Sequence, residues 1–134
     1  MIPPRRLTEA VWTSGSVGLA DIGPLAEAGF QVLVNNRPDG EGFGQPTSAE
    51  VEAAATAQGL AYLYAPISGF PGAGVVAQIG EVLSGDRKTL LFCKSGMRSA
   101  VAWALATRQS GAMDLDAIVD AGREAGCDLS GLPL

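Results

Sequence analysis

The sequence predicts an α/β domain in which a mostly parallel central sheet is flanked by helices on both faces, giving three layers. Three observations predict this class. Short apolar runs alternate with segments of helical composition, glycine stands at most of the junctions, and 134 residues fit one domain spanning residues 1–134. Strands that alternate with helices are typical of parallel sheets covered on both faces.

Four strands are predicted from short runs of apolar and β-branched residues that end at glycine or at polar turns. They cover residues 10–15, 30–36, 60–67 and 88–93. Ligands of such sheets bind outside the carboxyl ends of the strands. We therefore expect four polar loops to gather at one edge: Thr13–Ser16, Asn35–Pro46, Ser68–Gly74 and Cys93–Arg98.

Five helices are predicted from the segments between and after these strands, over residues 18–29, 48–59, 75–85, 99–109 and 114–126. Pro24 places some strain on the first of them. The second begins at a Thr47 or Ser48 cap, and Glu50 completes a capping box if Thr47 is the cap. The fourth is apolar on nearly every side, which indicates a buried central helix.

The composition excludes several classes of function. A net charge of −5 and a pI of about 4.5 argue against a nucleic-acid surface, which would need a basic face. The chain contains no histidine, so Cys-His and Ser-His catalysis and histidine-based metal sites are excluded. We expect no metal and no organic cofactor. Any anionic ligand must be captured locally, against the overall field of the protein.

The location is predicted to be cytoplasmic. Two cysteines, Cys93 and Cys127, are too few for a disulfide-built domain, and Cys127 is expected to be structural. The first residues, MIPPRRLTEAVW, lack the apolar region of a secretory signal, and no apolar run has the length of a membrane span. We therefore expect no membrane partner.

The segment Cys93-Lys94-Ser95-Gly96-Met97-Arg98-Ser99 leaves a buried strand and enters a buried helix. A turn of this kind directs consecutive backbone N–H groups into one concavity at the positive end of the helix dipole. Gly96 permits the left-handed backbone that such a turn needs. Arg98 adds a planar guanidinium that can grip an oxyanion through two parallel hydrogen bonds. The segment therefore predicts a small anion site with a sulfur at its base.

The same surroundings favour the thiolate form of Cys93, which would then need no histidine to activate it. Ser99 could donate a hydrogen bond to that thiolate and make it a better leaving group. The alternative is that Cys93 is an unreactive core residue at the end of a strand, as free cysteines often are. The position between strand and helix favours the reactive interpretation.

The motif CKSGMRS resembles the active loop of rhodanese-type sulfurtransferases and, with one residue fewer, that of protein tyrosine phosphatases. Further segments, VWTSG, VLVNNRPDGEGFGQPT, LAYLYAPI and AGCDLSGL, resemble in order and spacing the bacterial DUF442 family, the phosphatase-like domain of beta-lactamase hydrolase-like proteins. The resemblance implies a protein-tyrosine-phosphatase-like fold. It also implies Cys93 as nucleophile, Arg98 as oxyanion clamp, and a cradle formed by Lys94, Ser95, Gly96 and Met97.

The chain departs from the phosphatase pattern in three ways. Four residues rather than five separate Cys93 from Arg98, and Phe92 stands where phosphatases usually have histidine. The loop SGFPGAG after the third predicted strand contains no carboxylate, where dual-specificity phosphatases usually place an aspartic general acid. Asp39 and Glu41 are the candidates to replace that acid, although Asp39 with Gly40 could simply form a turn.

Arg37, in the same loop as Asp39, could be a second contact for the oxyanion, or it could pair with a carboxylate. Asn35 and Asn36 stand at the end of a strand, where Asx turns that shape the loop are the favoured interpretation.

Three functions follow from these residues. The first is hydrolysis of a phosphoester through a phosphocysteine intermediate, which the resemblance favours. The second is sulfur transfer through a persulfide on Cys93, which the short loop and the missing acid favour. The third is a non-catalytic module that senses an oxyanion or an oxidant. The expected partner is a small anionic substrate, either a phosphate ester or a sulfane-sulfur donor.

Overall fold

The computed structural model describes residues 3–134. Its five-stranded sheet is ordered β1-β2-β5-β3-β4, with β1 at Arg5–Arg6, β2 at Val11–Ser14, β3 at Val32–Asn35, β4 at Ala61–Tyr64 and β5 at Thr89–Phe92. Strands β2 to β5 pair in parallel, and β1 pairs antiparallel with β2. The predicted α/β class with a mostly parallel sheet is confirmed.

Five α-helices connect and follow the strands: α1 at Ile22–Glu27, α2 at Ser48–Ala57, α3 at Ala73–Leu83, α4 at Met97–Ser110 and α5 at Leu115–Glu124. Each corresponds to a predicted helix. The first begins as a short 3-10 turn at Leu19–Asp21, so Pro24 lies in the first turn of α1, where proline is tolerated. At α2, Thr47 and Glu50 form the predicted capping box.

The core lies in two layers on either side of the sheet, because alternate residues of a strand point to opposite faces. In β3, Val32 and Val34 pack with the helical layer of α3, α4 and α5, whereas Leu33 packs with α1 and α2. Helix α4 is buried along most of its length, and Trp103 within it is 1% exposed. Helices therefore cover both faces of the sheet, as predicted.

The strand order places β5 at the centre, between β2 and β3. The chain passes from β2 to β3 and β4 and then returns to β5, so the connections diverge beside this central strand. Crevices form outside the carboxyl ends of strands at such points. Cys93 directly follows β5 there. Within residues 3–134, no helix combines the length and the apolar character that crossing a membrane requires.

Candidate active site

Cys93 lies at the floor of a tight loop that joins β5 to the first turn of α4. The residue is 0% exposed and is not in a disulfide. Its backbone N–H faces the Ser14 carbonyl at 3.4 Å, and its Sγ accepts a hydrogen bond from the Gly96 N–H at 3.1 Å. Although its side chain is buried, the sulfur is therefore turned towards the Gly96 N–H of the loop.

Three consecutive carbonyl groups of the loop are held from outside. The Lys94 carbonyl accepts from the Ser16 N–H and lies 3.4 Å from the Ser16 Oγ. The Ser95 carbonyl accepts from Nη2 of Arg5 at 3.4 Å, and the Gly96 carbonyl accepts from the buried Thr13 hydroxyl at 2.8 Å.

These anchors determine where the N–H groups of the loop point. In a trans peptide the C=O and the following N–H point in opposite directions. The N–H groups of Ser95, Gly96 and Met97 therefore point away from the anchors, and the Met97 N–H donates to the Ser95 hydroxyl at 3.3 Å. The hydrogen bond from Gly96 to the sulfur agrees with this orientation. The result is a concave set of donors at the start of a 14-residue helix, which favours an anion.

Gly96 requires its glycine because of both conformation and space. Its φ is +96°, which side chains rarely allow. A Cβ at this position would also lie 3.3 Å from the Ser14 carbonyl and from the Thr13 hydroxyl oxygen. The predicted left-handed backbone at Gly96 is confirmed.

Arg98 is fixed by two acceptors, and their positions determine which N–H groups of its guanidinium are left to bind a ligand. Its Nη1 and Nη2 donate to the two carboxylate oxygens of Glu41 at 2.8 and 2.7 Å, and Nη1 also donates to the Ile67 carbonyl. A guanidinium has five N–H donors. The Nε–H and one N–H of Nη2 therefore form the remaining edge, which is a side-by-side pair suited to two oxygens of an oxyanion.

The charges at the site are coupled. Hydrogen bonding to Glu41 raises the pKa of the Arg98 guanidinium above its ordinary value, and the neighbouring Cys93 sulfur raises it further. The hydrogen bond from Arg98, aided by a second one from Arg37, lowers the pKa of the Glu41 carboxyl below its ordinary value of 4.5. Glu41 is therefore a carboxylate at neutral pH, and Arg98 remains a cation beside the sulfur.

Arg37 closes a ring of polar contacts around the loop. Its Nε donates to Glu41 at 3.1 Å, and its Nη1 donates to the Ser16 hydroxyl at 3.1 Å. Ser16 contacts the Lys94 carbonyl at the start of the loop, and Glu41 holds Arg98 at its end. The two ends of the loop are thus tied together by side chains from the loops after β2 and β3. A direct contact of Arg37 with an oxyanion stays a prediction.

The other predicted site residues are placed as follows. Ser99 is buried, and its hydroxyl donates to Oδ1 of Asn36 at 2.8 Å, so in this structure its hydrogen is not directed at the sulfur. Donation from Ser99 to the Cys93 thiolate stays a prediction. Lys94, Ser95 and Met97 are exposed at the mouth of the loop.

Asp39 lies on the same loop as Glu41, but its carboxylate is directed to another partner. Its Oδ1 accepts the Ser48 N–H at 2.7 Å, at the first turn of α2. The structure thus brings Glu41, and not the Asp39 carboxylate, to Arg98. Asp39 as proton donor stays a prediction. The Asn35 side chain accepts the Arg37 N–H at 2.9 Å, which is the predicted Asx turn. The same prediction for Asn36 is wrong, because its buried side chain donates to the Ala65 carbonyl and accepts from the Ser99 hydroxyl instead.

The sequence reasoning missed the residues that anchor the loop from outside. Thr13 and Ser16 lie in a polar loop that was expected at this edge of the sheet. The sequence therefore indicated their position, but it did not indicate that they anchor the Cys93 loop. The role of Arg5 could not be predicted at all, because it belongs to a two-residue strand without an apolar pattern. Cys127 is buried, and burial raises the pKa of its thiol. Within the described residues, no group of three or more His, Cys, Asp or Glu side chains is placed to hold a metal ion.

Comparison with known proteins identifies the family of this chain. Residues 4–112 match the family described as "Beta-lactamase hydrolase-like protein, phosphatase-like domain". The chain belongs to this family. Beta-lactamase hydrolase-like proteins of Agrobacterium fabrum and of Xylella fastidiosa (strain Temecula1) are each 31% identical to it over 92% of its length. The chain spans only 29% of the length of these relatives.

Solved structures show the same fold. A protein of Neisseria meningitidis Z2491, described as a candidate phosphatase, superposes with a TM-score of 0.76 at 25% identity, covering 93% of this chain and 89% of its own. Tk-PTP in its active form superposes with a TM-score of 0.73 at 21% identity, covering 96% and 90%. A kinase associated phosphatase gives 0.73 at 19% identity, covering 96% and 86%. This chain is a phosphatase-like domain with the tyrosine-phosphatase-like fold.

Proposed function

We propose that this domain is a cysteine-dependent phosphatase that hydrolyses a phosphate monoester through a phosphocysteine intermediate. The observation that supports this most strongly is the orientation of the loop after Cys93. The carbonyl groups of Lys94, Ser95 and Gly96 are each anchored from outside, so the N–H groups of Ser95, Gly96 and Met97 point the opposite way. The N–H groups of Gly96 and Met97 donate to the Cys93 sulfur and the Ser95 hydroxyl in this structure, and a bound phosphoryl group would take over as their acceptor. Donors that are oriented before the substrate binds need no reorganisation when charge develops.

In the first step, the Cys93 sulfur attacks phosphorus opposite the leaving oxygen. An S–P bond forms and the ester P–O bond breaks, so the alcohol leaves as an alkoxide or phenoxide that must gain a proton. In the second step, a water oxygen attacks phosphorus, the S–P bond breaks, and inorganic phosphate leaves with Cys93 again a thiolate. The loop N–H groups and the remaining edge of Arg98 hold the phosphoryl oxygens through both steps.

The supply of a proton to the leaving group limits the substrates. The loop from Ser68 to Gly72 carries no carboxylate, and Glu41 is deprotonated because Arg98 and Arg37 hold its charge. A positioned general acid typically contributes about 10²–10⁴-fold in rate. Unless Asp39 or another group supplies the proton, the domain should therefore prefer phosphate esters whose alcohol leaves readily, such as aryl esters.

Sulfur transfer is the second candidate function, and two specific features favour it. Only four residues separate Cys93 from Arg98, and a persulfide sulfur needs less room than a phosphoryl group. Transfer of a sulfane sulfur also produces no alkoxide that must be protonated, so the absence of a general acid does not slow this reaction. In this reaction the Cys93 thiolate would take the outer sulfur of thiosulfate, releasing sulfite, and cyanide would then remove it as thiocyanate.

One paired experiment distinguishes the two functions. Hydrolysis of p-nitrophenyl phosphate and formation of thiocyanate from thiosulfate and cyanide are measured on the wild type, on Cys93→Ser and on Cys127→Ser. The last variant is the matched control, because it removes the other buried thiol. We expect p-nitrophenyl phosphate turnover that Cys93→Ser abolishes and Cys127→Ser retains. Thiocyanate formation without phosphate release would replace the phosphatase proposal with sulfur transfer.

A further inference from the structure

Large apolar side chains are exposed around the mouth of the site. Five such side chains are exposed in the part of the chain that the structure describes, and four of them follow the carboxyl ends of the four parallel strands, one after each. These four, the apolar rim, are Leu19 after β2, Phe43 after β3, Phe70 after β4 and Met97 after β5, exposed by 42%, 110%, 61% and 36%. The fifth, Leu115, begins α5.

Two members of the rim lie on the loops that hold Arg98. Phe43 is two residues after Glu41, whose carboxylate binds the guanidinium. Phe70 is three residues after Ile67, whose carbonyl accepts from the same guanidinium. At about 3.8 Å between successive Cα atoms, the Cα atom of Phe43 lies within about 8 Å of the Glu41 Cα, and that of Phe70 within about 11 Å of the Ile67 Cα. Both phenylalanines therefore lie close in the chain to residues that hold Arg98.

The rim has no evident role in folding. Phe43 is fully exposed between Gly42 and Gly44, and Phe70 is mostly exposed. Apolar surface in water is unfavourable, and clustered exposed apolar groups mark binding sites more often than scattered ones do. The four residues of the rim follow parallel strands, whose carboxyl ends share one edge of the sheet with the Cys93 loop.

The charges around the rim indicate what kind of ligand it meets. The segments that carry the rim, residues 15–21, 36–47, 65–72 and 93–98, contain three basic and three acidic side chains, although the whole chain has a net charge of −5. The excess negative charge therefore lies on other surfaces. A ligand that approaches this mouth meets the apolar rim, whose segments have no net formal charge. Inside the rim lie the hydrogen-bond donors that bind an anion. An anionic head with an apolar body matches both parts.

We propose that the apolar rim binds the ester group of the substrate, so that the site takes amphiphilic phosphate monoesters in which an extended apolar group is attached to the phosphate. This inference rests on the proposed function. The phosphate lies among the loop N–H groups beside Arg98, and the apolar group leaves the site between Phe43 and Phe70. These two residues thereby determine specificity.

A series of ethyl, butyl and octyl phosphates tests this directly, because all three release a primary alcohol and differ mainly in apolar length. Full burial of a methylene is worth about fourfold in an equilibrium constant, and a one-sided rim should give about twofold for each methylene. All three should react slowly because no general acid protonates the alkoxide, but we expect kcat/KM to rise with chain length in the wild type. In the double variant Phe43→Ala, Phe70→Ala the rise should flatten. Leu115→Ala, which removes an exposed leucine beyond the far end of the roughly 20 Å helix α4, should behave as the wild type.

Binding of the corresponding alkylphosphonates, measured by calorimetry below their micellar concentrations, separates this inference from the proposed function. If octylphosphonate binds more tightly than ethylphosphonate but p-nitrophenyl phosphate is not turned over, the phosphatase proposal fails and the rim assignment stands. If turnover depends on Cys93 but affinity does not depend on chain length, the rim assignment is overturned. A dimer that Phe43→Ala dissociates, or binding of a phosphotyrosyl peptide without affinity for octylphosphonate, would also overturn it.

Discussion

Replacing Glu41 with glutamine tests whether this carboxylate positions Arg98 for the substrate or competes with the substrate for Arg98. The carboxylate accepts two charge-assisted hydrogen bonds from the guanidinium at 2.7 and 2.8 Å. Glutamine keeps one acceptor and places an NH₂ donor against the other nitrogen, so one bond is lost. A hydrogen bond to a charged group is worth about 1.5–3 kcal/mol, and water replaces part of it here because both side chains are partly exposed. The lower value corresponds to roughly a tenfold fall in kcat.

A second effect of this substitution acts in the opposite direction. Removing a negative charge near the phosphate-binding edge relieves repulsion of a dianionic substrate by about 1 kcal/mol in water, assuming a separation of about 6–8 Å. This electrostatic gain applies to binding and is screened by salt, whereas misorientation of Arg98 acts on the transition state. We therefore expect kcat to fall about tenfold at both ionic strengths, while KM falls at low ionic strength and approaches the wild-type value at high ionic strength.

The assay is hydrolysis of p-nitrophenyl phosphate by wild type, Glu41→Gln and Glu81→Gln at low and high salt. Glu81 lies on α3 and is exposed, so Glu81→Gln removes the same charge without touching Arg98. It should keep the wild-type kcat. If Glu41→Gln had an unchanged or increased kcat, Glu41 would be an anion that competes with substrate, and the positioning argument would be wrong.

Three further predictions concern the same loops. Gly96→Ala forces an L-residue to a φ of +96° and crowds Ser14, so we expect a stability loss of about 1–3 kcal/mol and a large loss of turnover; an unchanged melting temperature would contradict this. Asp39→Asn keeps the acceptor for the Ser48 N–H, so turnover should stay within about twofold; a fall of about 10²–10⁴ with alkyl esters would identify Asp39 as the proton donor. Because the pKa of Glu41 is lowered, its ion pair should contribute stability above its ordinary 4.5 and lose it as the pH falls through the lowered value. An acid limb of kcat there should disappear in Glu41→Gln, and a limb that persists would come from another group.

Most of the fold could be predicted from the sequence, because local patterns determine most of its elements. The apolar runs around Val32–Val34 and Leu90–Leu91 can be buried on both faces only in a central strand, and both lie in the middle of the sheet. Strand β1 could not be predicted. Its two arginines have no apolar pattern, and the strand exists only because Arg5 and Arg6 pair with β2.

The site was predictable where backbone geometry defines it and not where long side chains do. The position of Cys93 between a strand and a helix, with Gly96 in the turn, indicated the anion loop. Which carboxylate reaches Arg98 depends on the path of residues 37–47, and that path is set by contacts such as Gln45 with the Pro38 carbonyl at 2.8 Å. Local composition does not specify these contacts, so Asp39 and Glu41 were equivalent in the sequence.

The central claim is that the Cys93 sulfur becomes covalently bonded to phosphorus during turnover. The most direct measurement is mass spectrometry of the domain quenched in acid during reaction with p-nitrophenyl phosphate, followed by proteolysis to locate the adduct. We predict a phosphoryl group on the peptide that contains Cys93, absent from Cys93→Ser and present in Cys127→Ser. Steady release of p-nitrophenol by Cys93→Ser at the wild-type rate, with no adduct on Cys93 in either protein, would contradict the account.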